Sequence, residues 1–141
     1  MDQTPIQMIA THVEGIAHNC VKSLNGRNFS PSASGWNQMA AIFRADSEHP
    51  QGGIAEQGLE EHLEMQRQIA QEHPQYRLRL LDLHTEVDER AGSASVFMTV
   101  EATGIPPGVI RQSVGVSKFQ LIDGRWLCVR YGGARGMVGD S

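Results

Sequence analysis

The chain has 141 residues, 40% of them hydrophobic and 20% charged, with a formal net charge of -4. That length supports one hydrophobic core, since two would leave each half too small to stabilise itself, and the composition is that of a globular chain rather than a disordered or fibrous one. An acidic balance without any Lys/Arg block leaves no electrostatic footprint for a phosphate backbone, so nucleic acid is excluded as an expected partner.

Asp2 stands where a secretory signal would carry basic residues, and no apolar stretch approaches the roughly 20 residues that span a bilayer. The expectation is therefore a cytoplasmic protein with no membrane partner. Cys20 and Cys128 are the only cysteines. Far apart and without a secretory context, they read as buried thiols rather than a bridge. His12, His18, His49, His62, His73 and His84 are scattered without metal-ligand spacing, so no metal site is expected.

From Thr4 onward, Ile6, Ile9, Val13, Ile16, Cys20, Val21 and Leu24 recur at helical spacing, with Thr4 as N-cap and Pro5 at the first helical position. Asn25 and Gly26 end this first helix, and the polar stretch Asn28 to Gly35 reads as a loop. Trp36, Met39, Ala40 and Phe43 predict a short second helix ending near Arg44 to Ser47. After a turn at Pro50 to Gly53, Leu59, Leu63, Met65, Ile69 and Ala70 predict a third helix running from Ile54 to His73, closed by Pro74.

Beyond Pro74 the apolar period changes to two, and four strands are predicted: Tyr76 to Glu89, Ser93 to Thr103, Val109 to Ile122 and Arg125 to Tyr131. Short turns link them, with Asp123-Gly124 as a two-residue hairpin signal. The expected fold class is α+β, with three N-terminal helices on a curved antiparallel sheet of four or more strands. One domain is expected over residues 1–133, with a glycine-rich tail over 134–141. In the second predicted strand Val96, Met98 and Val100 alternate with Phe97 and Thr99, so both sheet faces carry apolar side chains. One face would meet the helices and the other a second copy of the chain, or the C-terminal tail; a homodimer through the outer face is the simpler expectation.

Three helices followed by a meander that ends in Asp123-Gly124-Arg125-Trp126 resemble the SnoaL-like branch of the nuclear transport factor 2-like, cystatin-like fold, a cone-shaped half-barrel. Arg44-Ala45-Asp46-Ser47-Glu48-His49 and the turn Thr103-Gly104-Ile105-Pro106-Pro107-Gly108 resemble segments of small fungal natural-product enzymes of that branch. The Arg-to-His segment is about one residue shorter than in those relatives. Their last strand often ends in an acidic residue, whereas here it reads Val129-Arg130-Tyr131-Gly132-Gly133. The resemblance implies a cofactor-independent isomerase, cyclase or dehydratase acting on a hydrophobic polyketide or terpenoid intermediate by general acid-base catalysis. The alternative is a non-catalytic binding or dimerisation module on the same fold.

Such chemistry needs a base near an acidic C–H or O–H and a donor facing the oxygen that gains charge. Asp46 and His49 are the candidate acid-base pair carried by the resemblance; a surface turn is the competing reading for each. Glu101 is in phase with Phe97 and Thr99, and is either a buried acid or an edge or interface carboxylate. Arg130 is in phase with Trp126 and Cys128, and would be an oxyanion partner or an ion pair with Glu101 or Asp46. Arg79 and His84 fall on opposite phases, so one at most would face inward. Trp36, Phe43, His62, Met65, Phe97, Phe119 and Trp126 are the candidate substrate-binding walls, a role that core packing would explain equally well.

Overall fold

A computed structural model describes residues 4–48 and 54–133. In chain order the elements are α1 (Pro5–Asn25), β1 (Met39–Glu48), β2 (Ile54–Gln57), α2 (Leu59–Glu72), β3 (Arg77–Asp88), β4 (Ser93–Thr103), β5 (Ile110–Ile122) and β6 (Arg125–Gly133). Helix α1 starts as its sequence dictates. The Thr4 hydroxyl accepts from the Gln7 amide, the Gln7 side chain accepts from the Thr4 amide, and Pro5 needs no donor where none is used. Gly26 ends it, and Asn25 then clamps β3 by bonding both the amide and the carbonyl of Leu78.

The second and third predicted helices need correction. Trp36 lies in a run of turns, held by its indole N–H donating to the Asn28 carbonyl at 2.7 Å, and Met39 to Glu48 form a strand. Met39 and Phe43 are four residues apart, a spacing that satisfies a helix face and a strand face alike. Two features break the tie: Phe43 and Ala45 are buried, whereas the intervening Arg44 and the preceding Ile42 are exposed, Ile42 by 62%. The stretch predicted as the start of the third helix, Ile54 to Gln57, pairs antiparallel with β1 instead. Gly58, in an extended conformation, separates it from α2, which starts at Leu59. The predicted turn over 50–53 lies outside the described residues, as does the tail.

The sheet also needs correction. It has six strands in the order β2-β1-β6-β5-β4-β3 rather than four, and it is mixed. The meander from β3 to β6 is antiparallel as the sequence predicts, with Asp123 and Gly124 both at positive φ (51° and 79°) in the tight turn. The addition is β1, which joins the free edge of β6 in parallel, with Ala45 opposite Tyr131. Helix α1 packs across β3 and β4, while α2 packs on β1 and β2. Between them and the sheet lies the core, in which Val13, Val96 and Phe119 are sealed from solvent.

Phe119 is 1% exposed at the centre of this core. Phe119→Ala is expected to lower the unfolding free energy by about 3–5 kcal/mol, read as a fall in urea midpoint at unchanged slope.

Candidate functional site

Alternation on β4 turns Ala94, Val96, Met98 and Val100 toward the helices and Ser95, Phe97, Thr99 and Glu101 away from them. Register carries the inner face onto β5, where Val96 is opposite Ser117 and Met98 opposite Gly115. Two small inner residues in succession leave a hollow above β5. Cys20 and Leu24 of α1, Trp36, Met39 and Phe43 around the start of β1, His62 and Gln66 of α2, and Cys128 and Tyr131 of β6 close around it. The cavity measures about 80 Å³. Gly115 makes room for one of its walls: a Cβ there would lie 3.1 Å from the Tyr131 hydroxyl, so a larger residue would push the phenol by a few tenths of an ångström from its place across β5.

The polar groups of the cavity are few and neutral. His62, 7% exposed, sits among three aromatic rings, with centroids at 6.3 Å for Trp36, 6.1 Å for Phe43 and 6.2 Å for Tyr131. Loss of water pushes its pKa down to about 4, so the imidazole is neutral at pH 7. Its Nδ1 and the Oε1 of Gln66, one helical turn further on, are buried without a hydrogen-bond partner among the described residues. Burial pushes the Cys20 thiol up to about 12 and raises Cys128 and Tyr131 as well, which leaves protonated thiols and an intact phenol. The Cys20 thiol donates to the Gly35 carbonyl. Neither cysteine is a nucleophile in that state, because only the thiolate attacks. Among the described residues no Asp, Glu, Lys or Arg lines the cavity. Such a site can take a proton on His62, offer one from Tyr131 and exclude water; it cannot neutralise a charged ligand.

Of the residues named from sequence, Trp36, Phe43 and His62 line the cavity. Phe119 is sealed in the core, Trp126 packs against that core, and Met65 lies on α2 away from the lining. Phe97 is on the outer face, where its ring meets His84 at 6.1 Å. Asp46, Glu101 and Arg130 are also on the outer face. Arg130 donates to Asp46 at 2.6 Å and to Glu56 at 2.7 Å, and Glu101 pairs with Arg79 at 3.3 Å. Asp46 and Arg130 are thus brought together, with each other and not with the cavity. His49 lies outside the described residues.

Two bulges account for the misplaced phases. Phe119 is opposite Cys128 but Lys118 is opposite Arg130, so Val129 is an extra residue. Beyond it the alternation inverts: Tyr131 points inward with Cys128, and Arg130 points out. The same happens on β3, where Leu80 is opposite Val100 and Asp82 opposite Thr99. Arg79 and His84 therefore both face outward, opposite Glu101 and Phe97. Tyr131, Gln66 and Ser117 are among the cavity residues that reading the sequence missed. Gln66 was within reach, being four residues after His62 on one helix face; Tyr131 was hidden by the bulge.

Among the described residues no cluster of three His, Cys, Asp or Glu side chains could hold a metal ion, and no helix is long and apolar enough to cross a membrane.

The architecture is that of the nuclear transport factor 2-like, cystatin-like fold. No family model and no curated protein matches the sequence. Solved structures do match. A nuclear transport factor 2-like protein of unknown function from Pseudomonas putida superposes with a TM-score of 0.68 at 10% identity, covering 90% of this chain and 86% of that one. The association domain of C. elegans CaMKII gives 0.67 at 13%, covering 90% and 95%. A proposed polyketide cyclase from Xanthomonas campestris gives 0.57 at 16%, covering 88% and 90%. At these identities the likeness defines the fold and not the SnoaL-like branch within it.

The depressed pKa of His62 has a measurable consequence. Between pH 6.5, its ordinary value, and about pH 4, the unfolded chain holds a proton that the folded chain lacks. This contribution to stability is full above pH 6.5 and is lost as the pH falls through 4, by about 3 kcal/mol in total. Urea midpoints at pH 7 and pH 4.5 should therefore differ more in the wild-type chain than in His62→Leu, which has no such proton to take up.

Proposed function

We propose that the chain transforms a small apolar molecule in this cavity by cofactor-independent proton transfer, as an isomerase, cyclase or dehydratase. The observation that carries the reading is a neutral imidazole, its Nδ1 without a partner among the described residues, at a largely apolar cavity that Tyr131 also lines. Desolvated in this way, His62 can accept a proton from a C–H beside a carbonyl, and Tyr131 can donate to the oxygen that gains charge. Isomerisation, aldol cyclisation and dehydration all begin with that transfer, and polyketide and terpenoid intermediates offer such C–H bonds. The fold shared with a proposed polyketide cyclase supports the reading. In it the base is His62, while the outward-facing Asp46, Glu101 and Arg130 serve the sheet surface.

A second reading, a ligand-binding module without turnover, is favoured by one specific observation. Among the described residues no cationic side chain lines the cavity to stabilise an oxyanion, and a base of pKa near 4 is a weak one. A single-ring probe separates the two. Conversion of 3-cyclohexenone to 2-cyclohexenone requires removal of a proton from C2 and its return at C4. The first reading expects this conversion to scale with protein concentration, to be constant above about pH 5 and to decline as the pH falls through about 4. His62→Gln should reduce it by about 10²-fold or more. Binding of the ketone without conversion by the folded wild-type chain would leave the second reading.

The outer sheet face is proposed as a homodimer surface. Its centre is apolar, with the part-buried Phe97 and the 46% exposed Val114. Apart from the charges already paired within the chain, Arg79 with Glu101 and Arg130 with Asp46 and Glu56, Asp82 and Glu86 lie toward the β3 edge and Lys118 and Arg44 toward the β1 side, so a two-fold axis through the centre would bring these opposite charges together. The fold shared with an association domain is in keeping with this. Sedimentation should give a dimer for the wild-type chain and a monomer for Val114→Lys.

A further inference from the structure

The proton transfer described above leaves Ser117 without a task. It stands on the inner row of β5, directly opposite Val96 of β4 and Tyr131 of β6, and it lines the cavity while only 7% exposed. A strand side chain rises roughly perpendicular to its sheet, which directs this hydroxyl to the helix side, where Ala17, Cys20 and Val21 of α1 line the same cavity. The hydroxyl forms no hydrogen bond with the described residues. It differs in one respect from the Nδ1 of His62 and the Oε1 of Gln66, which are sealed as well as unpartnered. An unpartnered hydroxyl that is not sealed, on a buried residue of the cavity wall, opens on the cavity.

Size alone does not account for a serine here. A small residue at 117 helps Gly115 to keep the hollow open over β5, but alanine would do so without a polar atom. A hydroxyl withdrawn from water and left unpaired is a cost to folding, so stability by itself favours alanine. What the hydroxyl can serve is a molecule that enters the cavity and accepts its hydrogen. The charge of that molecule is limited by the other walls. A carboxylate or phosphate would lose its hydration without meeting a cation among the described lining residues, whereas a carbonyl oxygen accepts a hydrogen bond and brings no charge.

We propose that Ser117 is a ligand-binding residue whose hydroxyl donates to the carbonyl oxygen of a small uncharged ketone or aldehyde, and that it selects such a compound over a hydrocarbon of the same shape. This rests on the cavity being the ligand site of the function proposed above. It adds a specificity determinant that the proton transfer itself does not require.

Calorimetric titration of the full chain at pH 7 with 2-cyclohexenone and with cyclohexene, the same ring without oxygen, tests the assignment. The wild-type chain should bind the ketone about tenfold more tightly than cyclohexene, and Ser117→Ala should lose about three- to tenfold for the ketone and nothing for cyclohexene. Difference infrared spectra should place the carbonyl stretch of the bound ketone lower in the wild-type chain than in Ser117→Ala. The urea midpoint of Ser117→Ala should equal or exceed that of the wild-type chain, because an unpaired hydroxyl has been removed.

Equal binding of the two probes, equal loss of both in the variant, an unmoved carbonyl stretch or a lower urea midpoint would each overturn it. The wild-type ranking of the two probes decides even if the variant does not fold. The two readings also fail separately. Conversion of 3-cyclohexenone with ketone binding indifferent to Ser117→Ala would keep the base and remove the role of Ser117; binding that depends on Ser117, without conversion, would keep that role and remove the catalysis.

Discussion

The cavity depends on one backbone ladder, the parallel pairing of β1 with β6. Without it the meander ends in a free edge at β6, and nothing places Phe43 beside Tyr131. With it, Ala45 is fixed opposite Tyr131 and Arg44 opposite Arg130, which brings residues more than eighty positions apart in the chain to adjacent places. Because strand side chains alternate, that single register sorts everything around it: Phe43 and Tyr131 go to the helix side, and Asp46 and Arg130 to the other. β2 extends the same arrangement by setting Glu56 opposite Asp46, so Arg130 meets two carboxylates on the outer face.

Glycine serves both faces of this region. At Gly115 the missing Cβ gives the Tyr131 hydroxyl its place on the inner side, and at Gly132 it makes room for Asp46 on the outer side, where a Cβ would approach the carboxylate within 2.7 Å. The two requirements oppose each other across the same three strands. One keeps a phenol in an apolar hollow, and the other packs a charged pair on a surface. Desolvation then separates the chemistry of the two faces. On the inner side it holds His62 neutral and the thiols and phenol protonated, while on the outer side Asp46 and Arg130 keep each other as counter-ions.

Much of the fold was legible in the sequence because it rests on local rules. Thr4-Pro5 and Asn25-Gly26 bound the first helix by capping chemistry. The Asp123-Gly124 hairpin follows from backbone conformations that those residues adopt at little cost, and the alternation of Val96, Met98 and Val100 with Phe97 and Thr99 set the two faces of β4 correctly. Trp36, Phe43 and His62, named from the sequence as a large ring or an amphipathic residue on an apolar face, line the cavity. The failures were of a different kind. Met39 and Phe43 stand at a spacing that helix and strand share, and which one forms depended on whether β6 was there to pair with. Arg130 was put in phase with Cys128, and Arg79 and His84 on opposite phases, because one extra residue, Val129 or Leu81, inverts every position beyond it.

Sequence alone therefore determined the α+β class, the capped first helix and the antiparallel meander, since caps, turns and apolar period are written residue by residue. Only the tertiary structure decided that β1 and β2 are strands, that the sheet is mixed, and that the inward polar groups are His62, Gln66 and Tyr131 rather than Asp46, Glu101 and Arg130. The physical reason is that a parallel ladder and a bulge are properties of two strands at once. A partner's register, and the burial it brings, cannot be read from the local pattern of either strand.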